Sequence, residues 1–431
     1  MNFLIKKENI KINGQTVTKV IAFSLIFSRS FSVETTLEDV LKKVKENNRE
    51  IKVQNLIVKE REYEVKKSFK EFLPTVELEA NQEFIKDEDG SEKNEWTNDG
   101  DKYERLNVNI PIFTGWRNTN NYKKSVLAKD ISEQENNLVG YDVEERAIFY
   151  YFEILNNRTQ AEISQRVIEN LKDQEKRLKE LYENGQMVPK SELLKVDADI
   201  VAEEAVKERR VQEQRSAEEA LYLLMGINLD SNYTFADYNL VKNGLESYDL
   251  QRDTEVALTE GSQAKIEELR LKDADLDVKL ARADLLPEVF GTYEYRISDD
   301  DDDTFSDYQV ALTARWEIFS WGSTLDDINQ KKVVKEQAEL NYSNRMDEIS
   351  LELRNNYREL LTLYKEVHSQ QVRLELLKEN LEIDSLRYLN GLIEAIDYLS
   401  SVSDLSETAA TYFSLQREFL LRKREYENLL K

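Results

Sequence analysis

The feature that most constrains this chain is an internal repeat. Ile51–Pro74 and Ala264–Pro287 align without gaps at a shift of 213 residues, and seven of the 24 aligned positions are identical. The identical pairs are Lys52/Lys265, Leu56/Leu269, Lys59/Lys272, Val65/Val278, Lys66/Lys279, Leu73/Leu286 and Pro74/Pro287. Because proline cannot continue a helix, each segment is predicted to be a helix that ends at its proline. The chain is therefore predicted to contain two copies of one structural unit.

Each predicted helix is followed by two segments in which apolar and polar residues alternate. In the first repeat the apolar members are Val76, Leu78, Ala80, Phe84, Leu106, Val108, Ile110 and Ile112. In the second repeat they are Val289, Gly291, Tyr293, Tyr295, Ile297, Tyr308, Val310, Leu312, Ala314, Trp316 and Ile318. A period of two predicts β-strands, and strands of about 9–12 residues can cross a membrane when tilted. We therefore predict two β-hairpins, over 75–113 and 288–319.

Tryptophan is confined to these hairpins and their ends. The chain has four tryptophans, Trp96, Trp116, Trp316 and Trp321. Tryptophan at strand ends is typical of the membrane–water interface of a β-barrel, so Trp116, Trp316 and Trp321 are our candidate interface residues. A soluble hairpin whose tryptophans pack into a small core would show the same composition.

A long helix is predicted after each hairpin, over 117–184 and 325–390. From Phe113 to Gly185 and from Phe319 to Gly391 the spacing is 72 residues in both repeats. A helix of this size is about 100 Å long. Each ends at Asn-Gly, which is a helix C-cap signal, and a shorter return helix follows. Gly185 and Gly391 are thus predicted to lie at the tips of two helical hairpins, where they let the chain turn.

The repeats divide the chain into predicted segments. Residues 1–32 resemble a signal peptide, because basic residues precede the short apolar stretch 20–27 and small residues follow it. The first repeat then covers 33–226 and the second covers 252–431. Residues 227–251 are predicted to link the repeats near the middle of the helices.

Composition excludes several kinds of protein. The chain has no cysteine, which removes disulfides and thiolate chemistry, and no apolar run approaches the length of a membrane-spanning helix. Its formal net charge of −25 disfavours nucleic acid as a partner. No phosphate-binding, dinucleotide-binding or metal-ligating motif occurs. We therefore predict no enzymatic activity, no cofactor and no bound metal.

If these strands cross a membrane, several chains must pool them, because four strands would leave unpaired edges in lipid. Two chains would give eight strands and three would give twelve, and the strand pattern does not choose between them. The order of helix, proline, β-hairpin, aromatic-glycine turn, long helix, Asn-Gly and return helix, given twice, resembles the TolC family. The resemblance covers essentially the whole chain after the signal segment. It implies long antiparallel coiled-coil helices that form a periplasmic tunnel, and four strands per chain in a trimeric twelve-stranded membrane β-barrel. It also implies an outer-membrane location in a Gram-negative-type bacterium.

The same resemblance indicates a gate at the periplasmic tip. Tyr388 and Asp397 match the family's gate pattern around Gly391. Ser400 stands where the family has a second aspartate, and Ile393 where it often has an arginine. A single ring of Asp397 carboxylates is therefore the expected gate. A solvated helix carboxylate is the alternative interpretation of Asp397.

The resemblance implies the outer-membrane channel of a tripartite efflux or type I secretion system. Such a homotrimer is a passive duct that contacts outer-membrane lipid, a periplasmic adaptor protein and an inner-membrane transporter. The rival interpretations are a periplasmic coiled-coil scaffold and an adaptor protein. A scaffold would not need four alternating strands, and an adaptor carries one helical hairpin where this chain has two. The exported substrate is not determined by the sequence.

Overall fold

The computed structural model describes residues 34–86, 96–97, 102–185, 188–238, 240, 248–300 and 303–431. The predicted signal peptide lies outside the described residues. Among the helices of the described part, none is both long and apolar enough to cross a membrane.

The first repeat runs from a short strand to a long helical hairpin. Its described elements are β1 (Glu34–Thr35), α1 (Leu37–Asn47), α2 (Arg49–Lys70), β2 (Thr75–Gln82), β3 (Ile85–Lys86), β4 (Trp96–Thr97), β5 (Lys102–Thr114), α3 (Arg117–Glu183) and α4 (Lys190–Leu224).

The second repeat follows the same plan. Its described elements are β6 (Thr234–Phe235), α5 (Leu250–Thr259), α6 (Ser262–Ala283), β7 (Glu288–Asp300), β8 (Asp303–Arg315), α7 (Ser323–Leu389) and α8 (Ala395–Leu429). Matching helices have equal lengths: α2 and α6 each have 22 residues, α3 and α7 each have 67, and α4 and α8 each have 35. The segment between the repeats contains β6 and the start of α5. The last strand is shorter than the alternation predicted, because Trp316 and Ile318 follow its end at Arg315.

The hairpins of the two repeats join into one four-stranded antiparallel sheet of order β2-β5-β7-β8. Within the described residues, β2 and β8 are its free edges. The pairing register aligns apolar residues across all four strands. Leu78, Leu106, Tyr295 and Tyr308 form one row, and Val76, Val108, Tyr293 and Val310 form the next. These rows lie on one face because side chains two residues apart point the same way.

The opposite face of the sheet is polar. Its rows are Glu77, Asn107, Glu294 and Gln309, and Glu79, Arg105, Arg296 and Asp307. Arg105 contacts Glu294 at 3.2 Å and Glu79 at 3.8 Å. Arg105 and Arg296 both lie against the Tyr103 ring, with their guanidinium carbons 4.9 and 4.6 Å from its centroid. The sheet therefore has one face suited to lipid and one suited to water.

Tight turns connect the sheet to the long helices. Gly115 and Trp116 both have positive φ before α3, and Trp321 and Gly322 both have positive φ before α7. A Cβ at Gly115 would lie 2.7 Å from the carbonyl oxygen of Ala283, at the end of α6. Glycine at position 115 is thus required by conformation and by close packing.

Each long helix packs against short helices that are stacked along its length. Near the sheet α3 contacts α2 and α6, and farther away it contacts α4 and α8. Helix α7 contacts α6 near the sheet and α8 farther away. Two short helices stacked end to end therefore lie along each long helix. This stacking gives an elongated body about 100 Å long below the sheet.

The largest core lies near the middle of this body. Val40 and Val44 of α1 pack with Ile148 and Leu155 of α3 and with Leu221 of α4, all of them fully buried. The short parallel pair β1–β6 covers this cluster. Two further clusters extend along the helices, one between α7 and α8 and one at the tips.

Candidate functional site

The end of the body opposite the sheet has two turns between helices, and each contains a glycine with a positive φ. Gly185 has a φ of 74° and Gly391 has a φ of 70°. At the second turn, the Leu392 N–H donates to the Arg387 carbonyl at 2.9 Å, which closes the last turn of α7. Glycine adopts this left-handed conformation without steric cost, which explains the two Asn-Gly signals.

Two stacked tyrosines hold the second tip together. Tyr388 comes from the end of α7 and Tyr398 from the start of α8, and their ring centroids are 4.9 Å apart with an interplanar angle of 1°. Both rings are buried within the tip cluster, which also contains Leu171 of α3 and Val196 of α4. The tip is therefore packed from both repeats.

The hydroxyl groups of the two tyrosines have different surroundings. The Asn170 side-chain amide donates to the Tyr398 hydroxyl at 2.8 Å. The Tyr388 hydroxyl is buried without a hydrogen-bond partner, and so is the Oδ2 atom of Asp199 on α4. Burial, reinforced by the negative charge of Asp199, raises the pKa of Tyr388 to about 12. Tyr388 is thus neutral at physiological pH and lies where loss of its proton would be unfavourable.

A small polar network lies beside the stack. The Ser401 hydroxyl of α8 donates to Asp384 of α7 at 2.7 Å, and Arg387 contacts the same carboxylate at 3.3 Å. On the other side, the Arg177 guanidinium of α3 lies beside the second turn, 4.0 Å from where a Cβ of Gly391 would be. The family's arginine position is Ile393 here, and the positive charge next to the turn comes from α3 instead.

The predicted gate residues do not all belong to this cluster. Tyr388 is part of it, whereas Asp397 and Ser400 are exposed on α8. Asp397 lies in the first turn of α8, where a carboxylate is stabilised by the helix dipole, and its backbone carbonyl accepts a hydrogen bond from Ser401 at 3.3 Å. Within one chain, Asp397 therefore points to solvent.

The candidate interface tryptophans lie at the other end of the helices. Trp116, Trp316 and Trp321 are all exposed, and Trp321 is 90% exposed. The Trp316 indole N–H donates to the Leu285 carbonyl at 3.1 Å, just below the sheet. Trp116 packs edge-on against Phe113 with a centroid distance of 6.0 Å. Together these rings surround the junction of sheet and helices.

Sequence comparison decides the family. The model of the outer membrane efflux protein family matches residues 40–227 and 263–427, which correspond to the two repeats. The chain belongs to the outer membrane efflux protein family. As a member it is a subunit of an outer-membrane efflux channel, the outer-membrane component of tripartite systems. It lies in the outer membrane of a Gram-negative-type bacterium, with a large periplasmic tunnel.

Solved structures share this fold at low sequence identity. The Campylobacter jejuni CmeC outer membrane channel is 18% identical with a TM-score of 0.74, and the match covers 100% of this chain and 94% of that one. CusC is 17% identical with a TM-score of 0.73 and 93% coverage of both chains. The Neisseria gonorrhoeae MtrE channel, solved in an open state, is 14% identical with a TM-score of 0.68, covering 91% of this chain and 88% of that one. A search of curated protein sequences finds no match.

Sequence reasoning missed the groups that surround the tyrosine stack. Tyr398, Asn170 and Asp199 lie on three different helices and are brought together only by packing. Asp384 could have been found, because it lies four residues before Tyr388 on the same face of α7.

Proposed function

We propose that three copies of the chain assemble into a passive export duct with a twelve-stranded barrel. The observation that carries this proposal is the four-stranded sheet, with an apolar face, a polar face and two free edges. Lipid does not tolerate unpaired backbone, so β2 and β8 need strands from neighbouring copies. Four strands cannot close a membrane barrel, whereas three copies supply twelve.

The helical body supports the same assembly. Apolar residues are exposed along the outer helices of the single chain, including Leu194 and Val201 of α4 and Leu340, Leu351 and Val372 of α7. These residues follow helical spacing on elements at the lateral edges of the body. In a trimer, contacts between neighbouring copies would cover these residues and complete the tunnel wall.

The tip is the proposed gate of the duct. Three Asp397 carboxylates close to the symmetry axis would attract cations and narrow the passage. Opening would require the α7–α8 hairpin to move outward, which would disturb the contacts of Tyr388. Ser400 lies one helical turn away on the same exposed side of α8, as a neutral member of the gate. Gly185 and Gly391 serve as the turns of the two hairpins.

The remaining partners follow from the same assignment. A periplasmic adaptor protein and an inner-membrane transporter would supply the energy and the substrate, and the chain itself would catalyse no reaction. The proposed organisation is a cleaved signal peptide over 1–32, repeats over 33–226 and 252–431, and the connection 227–251 at the middle of the tunnel.

Three measurements test the assembly. The mature protein should require detergent for extraction from outer membranes, and its mass in detergent should be that of a trimer. It should also form cation-selective pores in planar bilayers. A scaffold or an adaptor would instead be released by salt. A monomeric, water-soluble protein without pores would overturn the proposal.

The gate has a separate test. Asp397→Ala should increase pore conductance and weaken block by multivalent cations, because it removes the charge nearest the axis. Glu192→Ala is the matched control, since Glu192 occupies the first turn of α4 as Asp397 occupies the first turn of α8. Unchanged conductance and block in Asp397→Ala would remove this residue from the gate.

A further inference from the structure

A groove runs along three helices just below the sheet. It has a volume of ≈ 640 Å³ and is formed by α3, α6 and α7. Its apolar part consists of Tyr122, Val126, Leu127, Leu271 and Leu276. Its charged part consists of Lys123, Lys272, Lys279, Lys335, Asp275 and Glu339. The groove is thus apolar along its floor and charged around its edge.

The charges of the groove oppose the charge of the chain. Four lysines and two carboxylates give the edge a formal charge of +2, in a protein whose formal charge is −25. Asp275 contacts both Lys279 at 2.7 Å and Lys335 at 2.8 Å. These ion pairs are solvent-accessible and therefore weak, so the ammonium groups remain able to bind a second anion.

The groove lies on the outer side of the duct. Arg117 contacts both Asp284, at the end of α6, and Glu288, whose side chain lies on the polar face of β7. Asp277 precedes Asp284 by two helical turns, so it lies on the polar side too. Side chains two residues apart on a helix are rotated by about 200°, so Asp275 and Lys279 point to the opposite side. That is the side on which the sheet is apolar.

The lysines of the groove belong to a pattern that both repeats retain. Lys265, Lys272 and Lys279 are seven residues apart on α6, and the identical Lys52, Lys59 and Lys66 are seven apart on α2. A spacing of seven keeps side chains on one helix face. Lys59, Lys66, Lys272 and Lys279 are all exposed. Conduction through the polar interior gives no reason for lysines on this face.

The height of the groove places it next to the membrane surface. Lys279 lies four residues before the end of α6, about 6 Å below it. The headgroup layer on each side of a bilayer is about 5–8 Å thick. Lysine side chains can also extend toward this layer along their apolar stems. If the exposed tryptophans mark the interface, the ammonium groups lie at the depth of lipid phosphates.

We propose that the groove binds an anionic phospholipid of the periplasmic leaflet of the outer membrane. The lipid phosphate would contact Lys279 and Lys123, and the apolar floor would cover the glycerol and the upper part of an acyl chain. A basic cleft between helices at a membrane surface recognises anionic headgroups by charge. This inference uses the proposed position of the sheet in lipid, but it concerns a lipid site on the outside of the duct.

Native mass spectrometry of the detergent-purified full-length channel tests the site. With equimolar phosphatidylglycerol and phosphatidylcholine, the channel should retain phosphatidylglycerol preferentially. The double variant Lys272→Gln/Lys279→Gln should weaken phosphatidylglycerol binding by about tenfold or more, because each lysine near an anionic surface contributes to binding. Val126→Trp should also weaken binding, because the indole fills part of the groove.

The matched control is Lys172→Gln/Lys179→Gln. These lysines are exposed and paired with glutamates, but they lie toward the opposite end of α3, so phosphatidylglycerol binding should not change. Equal binding of the two lipids, or full binding by Lys272→Gln/Lys279→Gln, would overturn the proposal. Lysine-dependent binding of free laurate without a preference for phosphatidylglycerol would also overturn it. Pore formation by the same samples separates these outcomes from a failure of the duct assignment.

Discussion

Each tip has a glycine in the left-handed conformation, yet the two tips differ in how they are packed. Tyr182 and Tyr388 each stand three residues before the tip glycine, but Tyr182 is 47% exposed and Tyr388 is 3% exposed. Counted from the start of the return helix, the position that holds Tyr398 in the second repeat holds Leu193 in the first. The first tip therefore lacks the aromatic partner that closes the second.

The cause of this difference is the place of each return helix in the body. Helix α8 packs against both α7 and α3, whereas α4 packs against α3 and leaves Leu194 and Val201 exposed. The duplicated unit therefore has one tip that is packed between helices of the chain and one tip at the edge of the body. The comparison teaches that the second tip is packed within the chain, while the first keeps apolar side chains exposed.

The largest expected effect separates the two tyrosines directly. Tyr388→Ala should lower the local stability of the second tip by about 3–5 kcal/mol, because it removes a buried ring and leaves a cavity. Tyr182→Ala, the matched control, should change the stability of an isolated subunit by about 0.5 kcal/mol or less. Hydrogen exchange of the amides at the end of α7 measures both. Equal effects of the two variants would show that the tips are equivalent.

Alkaline pH should loosen the second tip and not the first. Burial, together with the negative charge of Asp199, raises the pKa of Tyr388 to about 12, from the usual tyrosine value of about 10. A group whose pKa is raised on folding stabilises the folded state fully below its unfolded pKa. That stability is lost as pH rises from about 10 through about 12. Burial also raises the pKa of Tyr398, so both rings act in the same direction.

The check is a pH titration of hydrogen exchange at the two tips. Above about pH 10, the rate of hydrogen exchange at the second tip should rise more steeply than the intrinsic rate of unprotected amides. Tyr388→Phe keeps the ring and removes the ionisable hydroxyl, so it should reduce this dependence. A dependence that is identical in Tyr388→Phe would contradict the assignment.

The smallest expected effect concerns the polar network beside the stack. Ser401→Ala removes the hydrogen bond to Asp384 and should cost about 1 kcal/mol, because Arg387 and water still satisfy the carboxylate. Ser400→Ala is the control, because Ser400 is exposed and its substitution should cause no measurable loss of stability. Local exchange rates or cysteine accessibility at the second tip would distinguish the two variants. An equal loss in both variants would contradict a specific stabilising role for the hydrogen bond between Ser401 and Asp384.

Much of the fold could be predicted because its signals are local and repeated. The prolines, the Asn-Gly turns and the alternating strands located the helices and the hairpins to within a few residues. The end of β8 was placed too late, because alternation continues through Trp316 and Ile318 after the strand pairing stops at Arg315. Pairing depends on the neighbouring strand, and the pattern of one strand does not contain that information.

The candidate site was predicted only in part for the same reason. Tyr388 could be proposed from the family resemblance around Gly391, and the structure places its ring in the buried tip cluster. Asn170, Asp199 and Tyr398 are far from Tyr388 in sequence or on other helices, and no spacing pattern connects them. Only the packing of α8 between α3 and α7 brings these groups together.

The sequence by itself determined the repeat, the lengths of the helices and the two faces of the sheet, because periodicity and chain breakers act over a few residues. The tertiary structure alone decided which tip is buried within the chain and which polar groups are buried there. It also decided that Lys272 and Lys279 border an apolar groove. Those features depend on contacts between helices far apart in the chain, where burial and desolvation control the energy. Two nearly identical local patterns therefore acquired different roles by their positions in one body.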